Sequence, residues 1–242
     1  MPPRKDTVYA EPLSSIEAFQ FDATVADVFQ DMIERSVPGY GLILQLIGSF
    51  AERYGQPNSN AYDLGCSLGA STLQLRQHLP STCHVIGIDS SSAMIERCQA
   101  NLARDHSATT YELKNDDLRA VTIENASIVV LNFTLQFLPD HERPAVLKRI
   151  ADGMRPGGVL LLAEKLHYEN HGEQVLMTDL HQDFKRYKGY SDVEIAQKRA
   201  ALEQVLVPNT RAEHLERLAE AGFAVQQQCV RCLNFEAFIA IR

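Results

Sequence analysis

Residues 60–90 carry a glycine-, serine- and carboxylate-containing pattern whose spacing suits a small-ligand site. Gly65, Ser67 and Gly69 follow one short apolar segment, and Asp89 ends the next one. Glycine tolerates positive φ and leaves no Cβ between the backbone and a ligand, and the first turn of a following helix offers free N–H groups. A carboxylate at the end of the next strand can accept hydrogen bonds from both ribose hydroxyls. The pattern therefore predicts a site for a nucleoside-bearing ligand.

This turn differs from the Gly-x-Gly-x-x-Gly turn of dinucleotide-binding enzymes. Ser67 stands between the two glycines, a third glycine is missing, and Asp63 precedes the turn. These differences argue against a pyrophosphate and favour a ligand with one nucleoside and no phosphate. An ordinary tight turn between a strand and a helix is the alternative. Asp89 could equally cap the next helix, but the serines at 90–92 can also cap it, which would free Asp89 for a ligand.

Three more candidate ligand contacts follow the next two predicted strands. Asp117 could accept a hydrogen bond from an adenine amino group while Leu118 packs on the ring, although Asp117 could instead be a solvated loop acid beside Asp116. Asn132 closes an apolar strand, where it either faces the ligand crevice or caps a turn. Both interpretations of Asn132 remain open at this stage.

Short apolar segments alternate with amphipathic helices along most of the chain. The predicted strands are 61–64, 84–88, 109–113, 127–131 and 159–163, and the helices between them are 70–78, 91–103 and 140–154. Such alternation predicts βαβ units, and hence an α/β fold with a Rossmann-like, doubly wound, mostly parallel sheet. We expect a single domain over residues 1–242, with a helical N-terminal cap at about 23–56 and a helical insert at about 165–207.

The ends of several elements carry their own signals. Ser191 with Glu194 and Thr210 with Glu213 form capping boxes that predict helix starts, and Gly222 predicts the end of the second helix. Two closing strands, 223–230 and 233–241, are expected to form a hairpin that adds an antiparallel C-terminal strand to the sheet.

Composition narrows the function classes. The 242 residues include 23 basic and 31 acidic side chains, for a net charge of −8, which argues against direct nucleic-acid binding. Five cysteines without a disulfide pattern favour a reducing cytoplasm. No apolar run reaches the ~20 residues that span a bilayer, and the N-terminus lacks the core of a signal peptide. We therefore expect a cytoplasmic protein that does not bind membranes.

The chain's potential metal ligands lack a supporting pattern. Cys229 and Cys232 form a lone Cys-x-x-Cys in a predicted strand, without a second pair. His167, His171 and His181 have no acid at ligand spacing, so solvated histidines are expected. The sequence predicts no metal.

Longer motifs resemble known proteins. Asp63-x-Gly65-x-x-x-Gly69, Ile88-Asp89, Asn132 and Pro156-Gly157-Gly158 are similar to class I S-adenosylmethionine-dependent methyltransferases. Four longer runs resemble the carboxy-S-adenosyl-L-methionine synthase family: residues 35–40, 62–69, 123–137 and 197–199. The resemblance covers nearly the whole chain.

The resemblance implies an activity and a set of site residues. The family converts S-adenosyl-L-methionine (SAM) and prephenate to carboxy-SAM and phenylpyruvate, works as a homodimer, and supplies a separate enzyme that modifies a tRNA wobble uridine. Decarboxylation and loss of the prephenate hydroxyl release a base that deprotonates the S-methyl group, and the resulting ylide captures carbon dioxide. Carried over by motif, the expected ligand contacts are Tyr40, Gly65, Cys66, Ser67, Asp89, Ser90, Asp117, Leu118, Asn132 and Arg199.

Arg199 and Tyr40 are the expected catalytic residues under this resemblance. A guanidinium can bind the new carboxylate through two charge-assisted hydrogen bonds, whereas simple methyl transfer needs no cation beside the sulfonium. Tyr40 could close over the ligand. Without the resemblance, Arg199 would be a solvated helix residue paired with Glu203 four positions later, and the chain could be an ordinary SAM-dependent methyltransferase acting on a small molecule or tRNA.

Overall fold

A computed structural model describes residues 4–242 as a seven-stranded sheet with helices against both faces. The strands are β1 (Asn60–Leu64), β2 (His84–Asp89), β3 (Thr110–Asn115), β4 (Ala126–Asn132), β5 (Met154–Lys165), β6 (Val225–Cys232) and β7 (Phe235–Ile241). The helices are α1 (Ala23–Ser36), α2 (Tyr40–Tyr54), α3 (Ala70–His78), α4 (Ser92–Leu102), α5 (Arg143–Gly153), α6 (His171–Tyr187), α7 (Asp192–Leu202) and α8 (Arg211–Ala221).

The order of the strands confirms the predicted doubly wound sheet. It runs β3-β2-β1-β4-β5-β7-β6; β1 to β5 pair in parallel, and β7 runs antiparallel to both of its neighbours. The chain leaves β1 toward β2 on one side and later returns to β4 on the other. A crevice opens at such a switch point, beyond the carboxyl ends of the strands. The ends of β1, β2 and β4 therefore meet at one place.

Local sequence signals located most elements to within a few residues. Both capping boxes are present, at Ser191 with Glu194 and at Thr210 with Glu213. Gly222 ends α8 with φ of 98°. The predicted helix 140–154 is a short 3₁₀ turn followed by α5, because Pro144 sits in the first turn of α5, where its missing N–H costs nothing.

Two apolar layers bury the sheet. Val146, Leu147 and Ile150 of α5 and Leu218 of α8 pack on one face. Ile43 and Ile47 of α2 and Leu75 of α3 pack on the other. All of these side chains are almost fully inaccessible to solvent. Strands covered on both faces explain the uninterrupted apolar run in β4.

Hydrogen bonds and an ion pair tie the insert to the N-terminal part of the chain. His181 of α6 donates from Nε2 to the Ser36 carbonyl (2.8 Å). The Lys198 ammonium donates to Ser36 Oγ (2.9 Å) and pairs with the buried Asp6 carboxylate (3.4 Å). Arg35 donates to the Lys188 carbonyl (2.9 Å). These contacts hold α6 and α7 over the carboxyl edge of the sheet.

Within residues 4–242, no helix combines the length and apolarity needed to cross a bilayer.

Candidate active site

A cavity of about 860 Å³ lies at the switch point, between the carboxyl edge of the sheet and the insert. This volume is within the ~300–1,000 Å³ typical of small-molecule sites. The structure brings all ten residues expected from the sequence to its lining: Tyr40, Gly65, Cys66, Ser67, Asp89, Ser90, Asp117, Leu118, Asn132 and Arg199.

The glycine turn has the predicted backbone but a different reason for its glycines. Gly65 and Gly69 have φ of 82° and 87°, as expected. A Cβ added at Gly65 would stand 2.4 Å from Thr134 Oγ1, and one at Gly69 would stand 2.7 Å from Cys98 Sγ. The sequence interpretation that these positions lack a Cβ to admit a ligand is therefore corrected, because protein side chains already fill that space. Close packing of the turn against its neighbours requires the two glycines.

Asp89 organises the turn as well as facing the cavity. Its two carboxylate oxygens accept hydrogen bonds from the backbone N–H groups of Ser67 (2.9 Å) and Ser91 (2.9 Å). Ser91 caps α4, as the sequence suggested, by accepting from Met94 N–H. Asp89 therefore does not cap α4 itself, and its contact with a ligand stays a prediction. Burial raises the pKa of Asp89, and the two backbone hydrogen bonds oppose that shift. Each oxygen keeps one lone pair for a ligand hydroxyl.

Of the two positions that the sequence left open for Asn132, the structure shows the one that faces the crevice. Its Nδ2 donates to Ser71 Oγ (3.1 Å), while Oδ1 is buried and has no hydrogen-bond partner among residues 4–242. The next residue, Phe133, has φ of 61°, which is unusual for a bulky side chain. Such strain concentrates at functional sites. It turns the chain at the end of β4, so that Asn132 lines the cavity.

Asp117 and Leu118 lie at the outer rim of the cavity. The Asp117 carboxylate accepts hydrogen bonds from Arg119 Nε at 3.0 and 2.9 Å, and its side chain remains 40% exposed. That guanidinium lowers the pKa of Asp117. Leu118 is buried beside it. The pair therefore combines a charged acceptor with an apolar surface, the arrangement expected for an adenine.

Tyr40 and Cys66 lie deeper, near the buried Asp63. Gly39, with φ of 83°, starts α2 and positions Tyr40 at its first residue. Burial, reinforced by Asp63, raises the pKa of Tyr40, so its phenol stays protonated. A hydrogen bond with Cys98, followed by burial, raises the pKa of the Cys66 thiol. Both side chains are therefore neutral at physiological pH and can offer O–H or S–H groups rather than anions.

Asp63 has a structural position beneath the turn. It is fully buried, and Thr72 Oγ1 of α3 donates to it at 2.6 Å. Burial raises its pKa to about 7. It does not line the cavity, so its contribution is to join β1 to α3 and hold the turn between them.

The insert side of the cavity is basic. Lys165 at the end of β5, Lys185 of α6, and Lys198 and Arg199 of α7 all line it. Burial, followed by repulsion from the other three cations, lowers the pKa of Lys185 to about 7. Burial and Arg199 likewise lower the pKa of Lys165. We call these four residues the cationic cluster. It offers positive charge to a ligand on the insert side of the cavity.

Arg199 forms the pair with Glu203 that one sequence interpretation predicted, while its contact with a ligand carboxylate stays a prediction. It lines the cavity, and its Nε also donates to Glu203 Oε1 at 2.6 Å. The Arg199 side chain is 54% exposed. The i,i+4 pair at this exposure is weak, so a ligand carboxylate can compete with Glu203 for the guanidinium.

The three histidines of the insert do not behave alike. His167 and His171 are exposed as expected. His181 was expected to be solvated, but it is buried, donates to Ser36, and packs edge-on against Phe235 at 4.9 Å. Burial lowers its pKa to about 3, so it is neutral. Within residues 4–242, no group of three histidine, cysteine, aspartate or glutamate side chains could hold a metal ion.

Sequence reasoning missed Lys165, His181 and Lys185. Lys165 carried the same signal as Asp89 and Asn132, since it ends a parallel strand beside the switch point. His181 and Lys185 lie four residues apart in a polar helix. No local pattern distinguishes these two from the helix's solvated residues, because their burial arises from contact with α1 and the cavity.

The family comparisons agree with this geometry. Residues 61–158 match the model of a methyltransferase domain. Among solved structures, human N-acetylserotonin methyltransferase in complex with SAM has a TM-score of 0.62 at 15% identity, covering 100% of this chain and 63% of that one. Magnesium protoporphyrin IX methyltransferase from Synechocystis has a TM-score of 0.61 at 15% identity, covering 87% of each chain. At this identity, the likeness establishes the class I methyltransferase fold.

More similar relatives define the family. The carboxy-S-adenosyl-L-methionine synthase of Trichlorobacter lovleyi is 51% identical, over 100% of both chains. Those of Shewanella woodyi and a Geobacter species are each 50% identical, over 98% and 99% of both chains respectively. Identity of this extent spans the sheet, the N-terminal helices and the insert together. This chain therefore belongs to the carboxy-S-adenosyl-L-methionine synthase family.

Proposed function

We propose that the protein converts SAM and prephenate to carboxy-SAM and phenylpyruvate. The observation that carries this proposal is the position of Arg199 and its neighbouring cations in the same cavity as the glycine turn. The sulfonium of SAM is already positive, so transfer of its methyl group gains nothing from a cation placed beside the sulfur. A reaction that places a carboxylate beside the sulfonium does gain from them. The full-length relatives do not favour the alternative of an ordinary methyltransferase.

SAM is a substrate in this reaction, and the cavity fits it. Asp89 would accept the ribose hydroxyls, and Asp117 with Leu118 would hold the adenine. Asn132, whose buried Oδ1 has no partner among residues 4–242, would accept from the ligand's ammonium group. Gly65, Cys66, Ser67 and Ser90 would contribute the walls and backbone groups around the sugar. Tyr40, protonated, would donate a hydrogen bond near the reacting end.

The balanced chemistry needs no protein base. Prephenate loses carbon dioxide and hydroxide to become phenylpyruvate; the hydroxide takes one proton from the S-methyl group and leaves as water. The methylene carbon then bonds to carbon dioxide. The protein would hold the reactants together, exclude water and stabilise the new carboxylate through Arg199. No acidic side chain is required to change protonation state during this sequence.

Mass spectrometry tests the reaction directly. Purified enzyme with both substrates should yield phenylpyruvate and a sulfonium heavier than SAM by the mass of one carbon dioxide. SAM isotopically labelled at its methyl carbon should retain that carbon in the product. If prephenate is not consumed while SAM transfers a methyl group to another acceptor, the proposal fails and the methyltransferase alternative gains support.

The use of the product, the cellular location and the oligomeric state form part of the same proposal. The net charge of −8 favours an enzyme that makes a donor for tRNA wobble-uridine modification without binding tRNA itself. We place it in the cytoplasm and as a homodimer. Exposed apolar residues on α6, including Leu176 and Leu180, support an interface between subunits. Sedimentation velocity tests the oligomeric state, and electrophoretic mobility with wobble-uridine tRNA tests the absence of direct binding.

A further inference from the structure

Two members of the cationic cluster have no anionic partner. Lys198 pairs with Asp6, and Arg199 pairs with Glu203. Within residues 4–242, no carboxylate oxygen lies within 4.0 Å of the ammonium groups of Lys165 or Lys185. Lys185 is only 7% exposed and its side chain lines the cavity. Buried charges in proteins are normally paired, since an unpaired one costs several kcal/mol. The buried Lys185, with the half-buried Lys165 lining the same cavity, therefore points to an anionic ligand.

The electrostatic surroundings strengthen this point. The charged groups that act on Lys185 are Lys198, Lys165 and Arg199, all cations. Glu203 partly offsets the repulsion at Lys165. His181, one turn before Lys185 on α6, is neutral because burial, followed by repulsion from Lys185, lowers its pKa, and the hydrogen bond to Ser36 only partly opposes that shift. Without a bound anion, these groups repel one another. A carboxylate placed between Lys165 and Lys185 would relieve that repulsion and accept hydrogen bonds from both.

We infer that Lys165 and Lys185 bind the α-keto carboxylate of the second substrate, the carboxylate that survives into the product. This inference rests on the proposed use of prephenate, which carries two carboxylates of different fates. The ring carboxylate leaves as carbon dioxide, and its negative charge passes to the departing hydroxide during decarboxylation. A cation bound there would stabilise the ground state more than the transition state and slow the reaction. The α-keto carboxylate keeps its charge throughout, so cations can hold it without that penalty.

The assignment divides the cations by task. Lys165 and Lys185 anchor the substrate's unchanging end, while Arg199 is available for the carboxylate that forms beside the sulfonium. Lys198 is held by Asp6 and Ser36 and positions α7. Anchoring at one end leaves the departing carboxylate free to lie near the S-methyl group, where the released carbon dioxide must be captured before it diffuses away.

The test uses Lys165→Met and Lys185→Met, with Lys188→Met as the matched control. Methionine keeps the unbranched shape and removes the charge. Lys188 is an exposed lysine at the end of the same helix and does not line the cavity. Each cavity variant should raise KM for prephenate by roughly 10- to 100-fold, the loss typical of a charge-assisted hydrogen bond. SAM affinity should change by less than about 2-fold, and Lys188→Met should match the wild type.

Phenylpyruvate supplies the decisive measurement because it retains only the α-keto carboxylate. Its inhibition constant should rise in both cavity variants by the same factor as KM for prephenate. Melting temperatures should stay equal or rise, since removal of an unpaired buried charge does not destabilise the fold. If prephenate binding weakens while phenylpyruvate binding does not, the lysines hold the departing carboxylate and the inference is wrong. Unchanged binding of both compounds also overturns it.

Wild-type turnover separates this inference from the proposed function. If wild-type enzyme does not consume prephenate, the proposed function fails, and the inference fails with it. If the wild type converts prephenate normally and the two lysine variants bind it equally well, only the inference fails. Both variants must be measured, because agreement between Lys165, on a strand, and Lys185, on a helix, excludes a local distortion of either element.

Discussion

The two ends of the cavity are built in different ways. At the sheet edge, Asp89 and Asn132 each directly end a strand, so the order of the strands brings them to one place. At the insert, Lys165, Lys185 and Arg199 come from a strand and two helices that are held in place by distant residues such as Asp6 and Ser36. The first end depends on the strand order, whereas the second depends on tertiary packing. We propose that the sheet edge binds the nucleoside of the ligand and that the insert binds its carboxylates.

The largest expected effect tests how rigidly the sheet end is built. Gly65→Ala places a Cβ at 2.4 Å from Thr134 Oγ1 at a φ of 82°. We expect a loss of roughly 3 kcal/mol or more in the free energy of unfolding, from overpacking added to backbone strain. Gly157→Ala is the matched control, because Gly157 has a φ of 74° but a Cβ added there would stand 3.9 Å from its nearest neighbour, Gln56 Nε2.

Gly157→Ala should therefore lose only about 1 kcal/mol, the strain contribution alone. Urea denaturation of both variants measures the difference. Equal losses would show that positive φ, rather than contact with Thr134, explains the glycine at position 65.

The next effect concerns the specificity of the sheet end. Asp89→Asn should weaken SAM binding by roughly 100-fold, since a charged acceptor facing two hydroxyls is replaced by a neutral amide. KM for prephenate, measured at saturating SAM, should change by less than about 3-fold. Calorimetry and steady-state kinetics provide the two numbers. Glu112→Gln, an exposed β3 carboxylate, serves as the control. If Asp89→Asn weakened SAM binding and raised KM for prephenate by the same factor, the two ends of the cavity would not bind separate substrates.

A smaller effect tests the insert end at Arg199. Arg199→Ala should weaken carboxy-SAM binding by roughly 10- to 30-fold and SAM binding by less than about 3-fold, because only carboxy-SAM has a carboxylate on the carbon beside sulfur, which we propose that the guanidinium binds. Glu203→Gln is the control, since it removes the i,i+4 pair without removing the cation. It should not weaken carboxy-SAM binding. If Arg199→Ala weakened the binding of carboxy-SAM and of SAM equally, Arg199 would be a solvated helix residue without a role in carboxylate binding.

The smallest effect is a pH-dependent one at the insert. Burial lowers the pKa of His181 to about 3, below the ordinary 6.5 of an unfolded chain. Its contribution to stability is therefore complete above pH 6.5 and is lost as the pH falls toward 3, because the unfolded state then binds a proton that the folded state excludes.

His181→Gln should remove this acid-sensitive contribution. Glutamine stays neutral and can still donate to the Ser36 carbonyl. Between pH 8 and pH 5, the wild type should lose about 1–2 kcal/mol more stability than the variant does. Denaturation series at the two pH values measure the difference. Superimposable pH profiles would mean that His181 is accessible to protons in the folded protein.

Sequence reasoning reached further at the sheet end than at the insert. The rule that ligand groups follow parallel strands predicts from the sequence that Asp89 and Asn132 lie at the crevice, and the same rule applies to Lys165, which ends β5. It did not reveal that Asp89 would hold Ser67 and Ser91, or that Gly65 would pack on Thr134. Those contacts join residues more than twenty positions apart or depend on turn geometry, which short-range patterns do not encode.

The sequence by itself determined the alternation of strands and helices, their caps, and the family motifs, because each depends on side-chain periodicity or on residues a few positions apart. Only the tertiary structure decided that Lys185 and His181 are buried, that Lys198 is paired with Asp6 while Lys165 and Lys185 are not, and that all of them share a cavity with Asp89. Burial and charge pairing depend on the position of every neighbouring group. Burial and charge pairing set the pKa of a lysine, and the sequence of a polar helix taken alone determines neither of them.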